Sequence, residues 1–198
     1  MTKYVLNSGG LRNQPERKQQ FHQELVEGLG TNPKFLLCNF AQGREYWEAK
    51  FPGYAESICE DMPSTVNPEF TLAVPNEFEH QCRQADVIYF HGGDDYLLKF
   101  WLKQFDLEQL FQDKVVATNS ASSDMIATHY WTCDWRQCQD GLGLLPIKFI
   151  PHYMSNYGND DPRGPIDWQN AYEELAAYGD MSLPIYALEE GEFIVQEK

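Results

Sequence analysis

Strand-like and helix-like patterns alternate along this 198-residue chain. The strands are apolar almost throughout, and no low-complexity tract or linker interrupts them. These observations predict an α/β fold, a three-layer α/β/α sandwich with a mainly parallel central sheet covered on both faces. Residues 1–198 read as one domain.

The elements follow in order. Tyr4-Val5-Leu6 is a short strand ended by Asn7-Ser8-Gly9-Gly10, a strong turn signal. From Pro15 to Leu29 the apolar residues Phe21, Leu25, Val26 and Leu29 keep helical spacing, closed by Gly30. Lys34–Phe40 is a second strand, with a helix over Arg44–Phe51 behind it. Phe70–Val74 is a third strand, ended by Pro75. A helix near Glu77–Gln84 precedes the apolar run Asp86–Phe90, which stops at His91-Gly92-Gly93-Asp94-Asp95. Helical spacing returns over Tyr96–Phe111. After the strand Val115-Val116-Ala117 a helix starts at Met125-Ile126-Ala127. Lys148–Ile150 is strand-like, Ile166–Tyr178 is amphipathic, and Pro184–Leu188 with Phe193–Val195 reads as a closing hairpin.

Composition excludes several classes. With 42% hydrophobic and 14% aromatic residues the chain is not disordered. A net charge of −15 argues against nucleic acid or an anionic membrane as partner, since both demand basic patches. There is no secretory signal and no apolar run near the ~20 residues of a membrane span. Five cysteines without a CxxC pair fit free thiols in a reducing cytoplasm. His129, Cys133, Cys138 and His152 match no closed zinc-site spacing, so neither a metal nor any other cofactor is called for.

The chemistry concentrates between Val115 and Met125. A buried strand turns into a helix through small residues, with Ser120 at the bend. That is the layout of a nucleophile elbow, which lifts a serine Oγ clear of the sheet and aims the first helical N–H groups at developing negative charge. An ordinary turn with an N-cap serine is the competing reading. A serine hydroxyl needs a base, and the base needs an orienting group. Of five histidines, His152, after Ile150-Pro151 at a strand end, is best placed to lean over the bend. Asp134, in a loop between bend and base, is the first choice for the acid, and Asp124 is its competitor, although its place in the first helical turn suits a dipole role. The Ala121 N–H with an N–H from the Gly92-Gly93-Asp94 turn, Gly93 or Asp94, are the natural oxyanion donors. All these positions fall at strand carboxyl ends, where ligands gather in such sheets.

Four segments in order carry a resemblance. Val87–Asp94 resembles a strand ending in a triple-glycine turn. Thr118-Asn119-Ser120-Ala121-Ser122 resembles a G-x-S-A-G elbow. Leu142–Pro146 with Ile150-Pro151-His152-Tyr153 resembles a histidine-bearing segment, and Leu188-Glu189-Glu190-Gly191 a late "leu-pro-glu-gly" turn. Together they resemble the peptidase E and cyanophycinase family of serine peptidases, over most of the chain. The resemblance implies a class I glutamine amidotransferase-like fold and a Ser120–His152–Asp134 triad. It also implies dipeptidase-like hydrolysis of small aspartate-containing peptides through an acyl-enzyme. Thr118 and Ser122 depart from the elbow glycines, Asp94 from the third turn glycine, and Asp95 from an asparagine. Carboxylates there oppose an oxyanion or bind a cationic amino terminus. These departures leave a second reading, a non-catalytic binding module with a degenerate elbow, in which Ser120 lies out of reach of His152. The family's strands beyond Val195 are expected to be missing. Tyr153, Tyr157 and Trp168 read as surface aromatics for a pocket or a homodimer face, with loop and core readings equally open.

Overall fold

A computed structural model describes residues 1–198. Ten strands form two sheets rather than one. The first orders as β10 (Phe193–Glu197), β1 (Lys3–Asn7), β5 (Val115–Asn119), β4 (Val87–Phe90), β2 (Lys34–Cys38) and β3 (Glu69–Leu72). All its pairs are parallel except β1 with β10. The second orders as β7 (Gln137–Asp140), β6 (Ala127–Thr132), β8 (Leu145–Ile150) and β9 (Ile185–Ala187), with only β6–β7 antiparallel.

The apolar strands of the first sheet send alternate residues to its two faces, as the period of two requires. Val5, Phe35, Leu37, Val87, Tyr89 and Ala117 join α1 (Pro15–Glu24) and α2 (Trp47–Asp61) through Phe21 and Ile58. Leu6, Leu36, Cys38, Ile88, Phe90 and Val116 enter the opposite core with α3 (Phe78–Gln84), α4 (Asp95–Leu102), α5 (Leu107–Leu110) and α6 (Ala121–Ile126). Tyr130, Ile147 and Phe149 belong to that same cluster, so one core joins both sheets. The outer face of the second sheet is covered by α7 (Trp168–Ala177), through Ala171 and Leu175.

Several boundaries move. The second helix begins at Trp47 and runs through Pro52 to Asp61. The stretch expected as one helix to Phe111 breaks into α4 and α5, the latter capped by the Asp106 carboxylate, which accepts from Gln109 N–H. Beyond Ser120 the helix lasts six residues, and Thr128–Thr132 is strand because β-branched and aromatic side chains suit a pleated surface. His129 therefore lies on β6. The expected closing hairpin does not form: β9 pairs with β8 and β10 with β1, so the turn between them crosses from one sheet to the other.

One side chain in β8 defies its residue type. Lys148 is fully buried, and its ammonium donates to the carbonyls of Leu175, Ala176 and Tyr178 at 2.8, 3.1 and 2.6 Å. It reaches the Ala176 and Tyr178 carbonyls at the end of α7 and shares the Leu175 carbonyl, which also accepts from Tyr178 N–H at 3.2 Å, at a helix end where a cation also suits the dipole. Lys148→Met keeps the stem and strands the Ala176 and Tyr178 oxygens. The expected loss is about 2–3 kcal/mol, read as a lower urea midpoint with an unchanged slope.

Candidate active site

The site grows from the carboxyl ends of β1, β4, β5 and β8. Ser120 follows β5 with φ 56° and ψ −120°, a sparsely populated conformation for a non-glycine residue and the strained bend that an elbow requires. The Ser120 hydroxyl donates to His152 Nε2 at 2.8 Å, so the separation that the binding-module reading expected is absent. The two elbow positions without glycine are used instead as ties. The Thr118 and Ser123 hydroxyls are hydrogen-bonded at 2.8 Å. Ser122 Oγ donates to Phe90 O at 2.7 Å and accepts from Asn119 N–H at 2.7 Å, binding the elbow to β4.

Two glycines are demanded by close approach. A Cβ on Gly92 would lie 2.6 Å from Asn119 O, and one on Gly9 would lie 2.3 Å from His152 Cε1. The loop after β1 thus forms the wall against which the imidazole rests. Ser8 completes that wall: its Oγ accepts from His152 N–H at 2.7 Å and donates to Leu188 O at 2.8 Å. On its other face the ring stacks on Tyr157, centroids 4.2 Å apart and planes 20° apart.

The acid behind the imidazole is Glu190. His152 Nδ1–H donates to Glu190 Oε1 at 3.1 Å, which leaves Nε2 free to accept from Ser120. Glu190 sits in the crossover between β9 and β10, held by Gly191 N–H donating to Gly9 O at 2.6 Å and Arg17 Nη1 donating to Glu190 O at 3.0 Å. Asp134, expected in this place, instead accepts from Tyr157 OH at 2.8 Å and reaches the ring only through that phenol. Asp124, the other candidate, is 2% exposed on α6 and makes no bond to His152. Burial lowers the His152 pKa below the usual imidazole value, and the hydrogen bond and charge of Glu190 oppose that shift. The lowered pKa favours the neutral ring, the form in which Nε2 accepts from Ser120.

The turn after β4 divides the expected oxyanion donors. Asp94 N–H is already spent on Ala41 O at 2.7 Å, and the Asp94 carboxylate caps α4 by accepting from Leu97 N–H at 2.8 Å. Gly93 and Ala121 both line the cavity at Ser120. The aromatics expected at the surface are half-buried: Tyr153 packs edge-on against Trp168 while Tyr157 covers His152. Of the four other histidines, His22 pairs with Asp61 at 2.6 Å, His129 with Asp140 at 2.8 Å, His91 stacks on Tyr54, and His80 is exposed on α3.

Fold and bend together define an α/β peptidase with a serine on a strand-to-helix elbow. Residues 5–198 match the model of peptidase family S51, and the chain belongs to that family. Solved structures agree in fold. A peptidase from an acI-B1 Actinobacterium is 21% identical, with a TM-score of 0.64 covering 99% of this chain and 83% of that one. A candidate peptidase E protein from Listeria monocytogenes EGD-e is 15% identical, with a TM-score of 0.63 covering 100% of this chain and 99% of that one. None of the curated proteins compared with the chain matches it. No helix is long and apolar enough to cross a membrane.

Proposed function

We propose that this peptidase is of dipeptidase type and cleaves short peptides through an acyl-enzyme. The observation that carries this reading is the unbroken relay from Ser120 Oγ through His152 to Glu190, at 2.8 and 3.1 Å. Ser120 attacks the scissile carbonyl as His152 Nε2 takes its proton. Glu190 fixes the tautomer and stabilises the imidazolium. The Ala121 N–H, with Gly93 N–H, receives the oxyanion, and His152 then protonates the leaving amine. Water, deprotonated by the same ring, releases the acyl group.

The size of the cavity at Ser120 supports a short substrate. It holds about 170 Å³, below the roughly 300–1,000 Å³ typical of drug-sized ligands, so it has room for little more than one residue. An amino-terminal aspartate is the residue the family resemblance implies. Its carboxylate would be better placed in a second cleft of about 860 Å³, which Arg12, Lys18 and Lys50 line together with Asn119, the residue before Ser120.

Two measurements test the proposal together. A fluorophosphonate probe is expected to label Ser120, and a panel of Asp-X dipeptides is expected to be cleaved faster than the same sequences extended by two residues at the amino end. Failure of the probe to modify Ser120 would remove the hydrolase reading. Equal cleavage of the extended peptides would remove the dipeptidase one.

A further inference from the structure

The lining of the small cavity has a character that the relay does not need. Asp95, Asp124 and Asp134 all border it, beside Ser120, Ala121 and His152, and no lysine or arginine does. Asp95 is occupied: it accepts from Tyr96 N–H and from Tyr130 OH at 2.9 and 3.1 Å. Asp134 holds Tyr157 at the rim, and the nearby Arg163 is engaged by the Asp161 carboxylate at 2.6 Å. Asp124 differs. It is 2% exposed, and its Oδ1 is buried with no hydrogen-bond partner. A carboxyl oxygen withdrawn from water without a partner is costly, and Asp124 is one of the residues lining the space a substrate residue would fill.

We propose that this carboxylate-lined cavity is a specificity pocket for a cationic group of the substrate, an ammonium or guanidinium that Asp124 receives. The proposal rests on the hydrolase reading for where the scissile bond lies, but the pocket itself is independent of it. Ionised carboxylates beside an oxyanion site repel the charge that develops there. A substrate that brings its own cation cancels that field and supplies the partner Asp124 lacks. Burial, and then the charges of Asp95 and Asp134, push the Asp124 carboxyl well above its ordinary pKa, a shift that an arriving cation reverses. The His, Cys, Asp and Glu side chains are not grouped to hold a metal ion, so the cation is organic. An α-ammonium and a basic side chain both carry this chemistry.

Four amides separate these sources: lysinamide, norleucinamide, Nα-acetyl-lysinamide and Nα-acetyl-norleucinamide. Their affinities are to be measured by calorimetry on the Ser120→Ala protein, which cannot turn over and keeps the pocket. At least one singly charged amide is expected to bind tenfold or more tighter than the uncharged one. Preference for norleucinamide identifies the α-ammonium, and preference for Nα-acetyl-lysinamide identifies the side chain. Asp124→Asn in the same background is expected to erase the advantage, and Asp134→Asn to weaken it. Equal affinity for all four amides would overturn the proposal, as would a charge preference that survives Asp124→Asn. If Asp124→Asn does not fold, the four-amide comparison together with Asp134→Asn decides. Failure of the hydrolase reading would show separately, as absent labelling of Ser120 in the unmutated protein.

Discussion

Replacing Ser120 with alanine is expected to lower kcat/KM for a cleaved dipeptide by about a millionfold, while the melting transition moves by no more than about 1 kcal/mol. The size of the loss follows from how completely the neighbouring nucleophiles are committed. Cys133 borders the same cavity, yet its thiol donates to Pro151 O and burial pushes its pKa well above the ordinary thiol range, so it offers no thiolate. The Ser122 and Ser123 hydroxyls are both used in ties to β4 and to Asn7 O. Alanine occupies the same strained φ as serine, and the Thr118 and Ser122 ties that hold the bend remain, so the fold has no reason to change. The measurement is steady-state hydrolysis beside a thermal melt. A loss smaller than tenfold would place the nucleophile elsewhere.

How much of this site the chain disclosed depended on whether a residue's role was set locally. The elbow was legible because its signal is contiguous: apolar strand, small residues, helix. His152 was legible because Ile150-Pro151 marks a strand end, and strand ends of parallel sheets share one edge. Glu190 was not, although its turn was noticed. Pro184–Leu188 and Phe193–Val195 are two short apolar runs around a glycine, the ordinary signal of a hairpin, and a hairpin tip has no cause to approach His152. Only the long-range pairings of β9 with β8 and β10 with β1 turn that tip into a bridge lying over the imidazole. Asp134 attracted attention through its loop position, and it does lie near the ring, one phenol away. The second sheet escaped for a related reason: Met125-Ile126-Ala127 continues helically in pattern, and nothing local marks Ala127 as the first residue of a strand. The buried Lys148 was equally hidden, since its partners are the end of a helix some thirty residues later.

The consequence for the relay is a ranking that chemistry can check. Glu190→Gln is expected to lower kcat by roughly a thousand- to ten-thousandfold, because an amide can hold the wrong tautomer and cannot stabilise an imidazolium. Asp134→Asn is expected to cost less than about tenfold, since asparagine still accepts from Tyr157 OH and the stacked phenol stays in place. The pH profile separates orientation from mere packing. His152 must be neutral to act, so kcat/KM falls as pH drops through its pKa. Burial sets that pKa below the usual imidazole value, and Glu190 holds it partly up. With the carboxylate gone, burial is opposed only by the smaller contribution of the Asp134 charge. The acid limb of the residual activity therefore moves to lower pH in Glu190→Gln and barely moves in Asp134→Asn. A carboxylate that only packed against the ring would change the stability of the protein and leave the limb where it was. If the larger loss and the shifted limb belonged to Asp134→Asn instead, the relay would run through Tyr157, and Glu190 would be a bystander in the crossover.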